Sequence, residues 1–200
     1  MNNYEYVVAG LPALCEDWSA NAHLDVDEVI SQIRALCSES DNALFDDFLK
    51  GFEEENFNAS FYSRMLSSPR RFLSEYFRFD LCARNAKVRY LNDRLGRDAD
   101  EGVFLEPDGE FEQEERLRAI LYGEDLLERE KGLDSLYWEV ISEINTFDYF
   151  NADALLGYIA KLKITDRWLK LDPETGRKMF RSLVDEIHGT FKGVEFNDNQ

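Results

Sequence analysis

Apolar positions along this 200-residue chain recur in steps of three and four almost throughout, the spacing that lines one face of an α-helix. Val29, Ile30, Ile33, Leu36 and Cys37 form one such face. Asp25 and Glu28 open it with the spacing of a capping box, and Leu24 with Val29 that of a hydrophobic staple. Phe45, Phe48, Leu49 and Phe52 follow at i, i+3, i+4 and i+7, predicting a helix from about Asp41 to Phe52. EEENFN then reads as a loop, and a short helix covers Phe61 to Leu66. In the next stretch Phe72, Tyr76, Phe79, Ala83, Ala86 and Tyr90 keep the helical step, while Leu73, Phe77, Val88, Leu91 and Leu95 widen the face, so two neighbours can pack on it at once. Ser68 suits an N-cap, Pro69 the first helical position and Gly96 a stop, giving a helix of about 27 residues and roughly 40 Å.

Further on, Phe111 to Tyr122 predicts a helix with Leu117, Ile120 and Leu121 inward. LDSLYWEVISEIN presents Leu136, Val140, Ile141 and Ile144, and Asn151 caps NADALLGYIAKLKITDRWLKL. Asp172 and Pro173 start a last helix that carries Met179, Phe180, Leu183, Val184 and Ile187 and ends at Gly189. Only YEYVVA, residues 4–9, reads as a short strand or extended arm. The expected fold is therefore all-α, a multi-helix bundle or partial funnel of seven to nine helices with a possible short N-terminal strand. Residues 1–97 form an N-terminal helical part ending in the long helix, and 98–110 an acidic loop, the best place for a boundary or mobile insertion. Residues 111–189 make a C-terminal helical part and 190–200 a tail, the whole being one compact unit.

Charge adds a contrast that the apolar pattern hides. The chain carries a formal −18, yet residues 69–97 hold eight basic side chains against three acidic ones, a local +5. Residues 98–130 then hold thirteen acidic against three basic. So negative a chain is a poor general ligand for nucleic acid or anionic membrane surfaces, which call for clustered positive charge. The basic helix is the natural partner-binding element, through Arg84, Asn85, Lys87 and Arg89. Composition leaves open whether its charge meets an acidic partner or the chain's own 98–130 segment. Asp80 and Arg84, four apart, make a same-face pair worth ~0.3–0.5 kcal/mol if exposed. If they face the interior, Asn85 needs its amide satisfied and the cluster specifies register.

Catalytic and metal signals are weak. Asp185, Glu186 and His188 resemble half of a carboxylate-bridged metal site, but the other histidine, His23, lies in SANAHLD without the matching motif. Glu114, Glu115, Glu124, Asp125, Glu128 and Glu130 lack the spacing and glycine of a calcium loop and read as a solvated face. Cys15, Cys37 and Cys82 are widely spaced and fit reduced, buried thiols. No phosphate-cradling loop or nucleophile elbow occurs. No catalytic residue, cofactor or metal is therefore assigned. With no apolar run of about 20 residues and no basic leader, the chain is expected in the cytosol without a direct membrane span.

The stretch FNADALLGYIAKLKITDRWLKLDPETGRKMFRSLVDEI, together with YEYVVAGLPAL, LCARNAKVRYLNDRLG and LDSLYWEVISEI, resembles a bacterial family of unknown function encoded in V-type ATPase gene clusters. Asn85 followed by basic residues and Gly96, and the series Tyr158, Lys161, Leu162, Arg167, Trp168 and Gly176, carry the resemblance. That family is more distantly similar to the helical funnel of V/A-type ATPases, the component that couples the central rotor stalk to the membrane ring. In one of the funnel's helices an acidic residue, Asn and basic residues recur, and the pattern of Asp80, Asn85, Lys87 and Arg89 resembles it. The resemblance implies a non-catalytic subunit or accessory factor, cytoplasmic and peripheral to the membrane, with the central stalk and membrane ring as partners. This chain is much shorter than a typical funnel protein, so all three lobes are not expected. The rival readings are a free-standing cytosolic helical adaptor and, further off, a hydrolase or metal enzyme with a dispersed site.

Overall fold

The computed structural model describes residues 2–171. The sequence-predicted last helix, with Asp185, Glu186 and His188, and the tail lie outside the described residues. Among the described residues there are eight α-helices and no strand: α1 (Glu5–Gly10), α2 (Val26–Leu36), α3 (Glu39–Leu49), α4 (Ala59–Leu66), α5 (Arg71–Leu95), α6 (Glu114–Leu121), α7 (Leu126–Ile144) and α8 (Ala152–Leu169). The fold is all-α. Side-chain caps start five of them: Asp25, Ser38, Asn58, Asp125 and Asn151 each accept from a backbone N–H three residues on.

YEYVVA is helical rather than extended, because Tyr4, Val7, Val8 and Leu11 share one helix face and pack into the core. The Tyr4 hydroxyl donates to Asp41 at 2.5 Å and its N–H to the Phe150 carbonyl at 2.6 Å, which pins the segment at its start. Among the described residues an extended arm here has no neighbouring strand to satisfy its backbone, whereas a helical turn satisfies it locally.

α5 is the axis of the body. Ser68 Oγ accepts from the Arg70 N–H, but the helix proper begins at Arg71, so Ser68 and Pro69 form the turn ahead of it. It runs 25 residues, about 37 Å. Gly96 ends it at φ 65°, a left-handed conformation that glycine adopts without steric cost. It packs against α4, α6, α7 and α8, and in its first half Phe72, Leu73, Tyr76, Phe77, Phe79 and Leu81 are all buried, while Arg71, Ser74, Glu75 and Arg78 make the outer polar face. Beyond Ala86 the outer face opens, so Leu91 and Leu95, expected in the core, are half or more exposed. Leu36, at the end of α2, is exposed for the same reason.

The rings around Phe77 interlock edge to face, with Phe61 at 5.2 Å, Tyr76 at 5.3 Å and Tyr62 at 6.1 Å. Gly51 is what admits the Phe77 ring, since a Cβ there would lie 2.3 Å from it. Gly51→Ala is therefore expected to lower stability by about 1–3 kcal/mol through overpacking. Urea denaturation followed by circular dichroism checks this, and an unchanged midpoint contradicts it.

Candidate functional site

The candidate site is the polar second half of α5 and what lies against it. Asp80 is buried, and its carboxylate accepts from Tyr62 of α4 at 2.5 Å, Tyr137 of α7 at 2.8 Å and Arg84 Nε at 2.7 Å. The Arg84 guanidinium also lies over the Phe57 ring, 3.9 Å from its centroid. The Asp80–Arg84 pair is thus interior, and the carboxylate's lost hydration is replaced by three donors from three elements. Burial, then the Asp80 charge, pushes the phenols of Tyr62, Tyr76 and Tyr137 well above their ordinary range. Burial alone would lower the Arg84 pKa, but the charge and hydrogen bond of Asp80, with Tyr62 and Tyr137 beside it, together raise it above its ordinary value.

A second polar stripe, Arg78, Asn85, Arg89 and Asn92, faces the acidic segment after Gly96. The buried Asn85 amide donates to the Leu105 carbonyl at 2.8 Å and to Glu106 at 3.3 Å. Asn92, also buried, donates to the carbonyls of Ala99 and Glu101 at 3.0 and 2.9 Å. Arg89 pairs with Asp100 at 2.8 Å and with Glu106. Arg78 donates to the carbonyls of Asp108 and Glu110. An irregular segment laid against a helix has backbone carbonyls with no ladder to join, and these side chains supply their donors.

Of the four residues singled out from sequence, Arg84 faces the Asp80 network, while Asn85 and Arg89 hold the acidic segment. The intramolecular use of this charge is realised. Lys87 is half-buried and forms no hydrogen bond or ion pair among the described residues. Burial lowers its pKa, and the carboxylates of Glu130 and Asp80 oppose that.

Sequence reasoning missed Asp134, whose carboxylate accepts from Trp168 Nε1 at 2.5 Å and from Arg167. Burial raises its pKa and Arg167 pulls it back. Trp168 stacks on Trp18 at 6.1 Å, and Trp138 meets Trp18 edge on at 5.3 Å. An acidic residue on an apolar helix face, here Asp134 beside Leu133 and Leu136, was the available signal. Among the described residues no group of three or more histidines, cysteines or carboxylates is placed to hold a metal ion. The three cysteines are free; Cys15 is exposed, against expectation, and Cys37 and Cys82 are half-buried, with burial raising both thiols.

Residues 106–190 match a family described as a protein of unknown function, DUF2764. The match takes in α6, α7 and α8, while YEYVVAGLPAL and LCARNAKVRYLNDRLG lie outside it. No curated protein and no solved structure gives a significant match to the chain.

Two outcomes follow from this geometry. Asn85→Ala leaves the Leu105 carbonyl without its donor and is expected to cost about 1–3 kcal/mol, whereas Arg89→Ala breaks pairs open to solvent and costs about 1 kcal/mol or less. Parallel urea titrations check the ranking, and equal losses contradict it. The second outcome concerns alkaline pH. Unfolded tyrosine ionises near pH 10, while Tyr62, Tyr76 and Tyr137 stay protonated in the fold, so their contribution is complete below about pH 10 and is lost as pH rises above it. Phenolate absorbance is expected to show these three ionising only together with loss of the helical signal. Titration of all nine tyrosines with the helices intact contradicts it.

Proposed function

We propose that the chain is a non-catalytic helical subunit or accessory factor of a V-type ATP synthase or ATPase, similar in role to the helical funnel that links the central stalk to the membrane ring. What carries this reading is where the resembling segments fall. LCARNAKVRYLNDRLG is the second half of α5, LDSLYWEVISEI lies within α7, and the stretch from Phe150 supplies α8. These are the three longest helices among the described residues, and all three contribute to one hydrophobic core, with Tyr137 of α7 edge on to Phe79 of α5 at 4.8 Å. A close-packed interior deforms little and transmits strain, the property a mechanical link requires. Among the described residues no helix is long and apolar enough to cross a membrane, in keeping with attachment through protein contacts. ATP hydrolysis and ion movement would belong to other components of the complex.

Affinity purification of the tagged chain from its native host is expected to bring down V-type ATPase subunits in fixed proportion. Recovery of the chain without them, from cells that express the complex, rejects the reading in favour of a free-standing adaptor.

A further inference from the structure

Most cationic side chains of the described part pair with this chain's own carboxylates. Three that form no ion pair among the described residues, Arg94, Arg118 and Arg129, converge on one pair of tyrosines. Tyr90 of α5 and Tyr122, just past α6, meet edge to face at 5.1 Å. The Arg94 guanidinium lies 5.5 Å from the Tyr90 ring centroid and 5.6 Å from that of Tyr122. Arg118 lies 5.7 Å from Tyr122, and Arg129 5.2 Å from Tyr90. Arg129 also donates to the Gly123 carbonyl at 2.8 Å, while its buried Nε has no partner. Tyr122 is held in place by its hydroxyl, which donates to Asp93 at 3.0 Å.

Three like charges drawn together repel one another, and in a chain with 41 carboxylates a purely structural role would be met more cheaply by pairing them. The ring faces fix the guanidiniums in position without neutralising them, and Arg94 and Arg118 are exposed. Arg118 and Tyr122 also line a cleft with Ala86, Arg89, Tyr90, Glu114 and Leu121.

We propose that this cluster is a docking site for an acidic peptide segment of a partner protein. Carboxylates of the segment engage Arg94 and Arg118 in two-pronged hydrogen bonds, and an apolar side chain enters the cleft over Leu121. Charge complementarity selects the occupant, and the surroundings set its length. Asp93 adjoins Tyr122, Glu114 lines the cleft, and Glu124 and Asp125 follow Gly123 in the chain. A continuous polyphosphate backbone would run onto these carboxylates, whereas a short acidic segment need not. The site stands whether or not the partner belongs to a V-type ATPase.

The test uses the full chain and a fluorescein-labelled, glutamate-rich peptide bearing one phenylalanine, with an oligothymidylate of equal charge as the comparison. Fluorescence anisotropy at low salt is expected to show saturable peptide binding that weakens as salt is raised. Arg94→Glu with Arg118→Glu is expected to weaken it by at least about tenfold, as is Tyr122→Ala, with the helical circular dichroism retained. If the charge reversal does not fold, Arg94→Gln with Arg118→Gln replaces it, with the same expected loss. No saturable binding to the wild-type chain, undiminished binding to the folded variants, or tighter binding of the oligothymidylate overturns the proposal.

Discussion

A carboxylate taken out of water must find its hydrogen bonds within the protein, and Asp80 finds them on three elements at once. Tyr62 reaches it from α4, Tyr137 from α7 and Arg84 from one turn along α5. Few arrangements of three helices satisfy that demand, because rotating α5 by a single residue turns the carboxylate away from both tyrosines. The network thereby fixes which way every other residue of α5 points. The aromatic first half is turned into the body, and Arg78, Asn85, Arg89 and Asn92 are turned toward residues 99–110.

The basic excess of α5 is largely consumed at home. Arg70 approaches Asp41 and Asp153, Arg71 pairs with Glu75 and Asp148, Arg84 with Asp80, and Arg89 with Asp100 and Glu106. A helix that looks from its composition like a charged probe is therefore in large part the clamp for an acidic segment of the same chain. Apart from the half-buried Lys87, what is left for an outside anion lies at the far end of the helix. There aromatic faces, rather than carboxylates, hold the guanidiniums of Arg94, Arg118 and Arg129.

This arrangement bears on how the region matched to the uncharacterised family is to be understood. α7 and α8 are joined by Asp134, Arg167 and Trp168, yet Trp168 stacks on Trp18, and Tyr137 reaches into the α4–α5 network. The matched residues thus take part of their core from the N-terminal half. A mechanical role is consistent with that interdependence, because a load applied to one helix of such a core is shared by the others.

Apart from α1, helix identity was decided locally and was legible in the residues. The 3.6-residue apolar period, the Asp25 and Asn151 caps and the left-handed Gly96 are properties of neighbouring positions, and they mark the same elements in the sequence and in the fold. Placement against distant neighbours was not legible. Whether YEYVVA is strand or helix turns on the absence of a strand beside it among the described residues and on Asp41 and Phe150 being within reach. Whether Leu91 and Leu95 are covered turns on where α5 outruns its neighbours. Asn85 carried the right question, an amide in need of partners, but its answer lay 20 residues away in the Leu105 carbonyl. A period reports which face of a helix is apolar, whereas the partner of a buried donor is set by chain segments far apart in sequence. Only their packing brings those together.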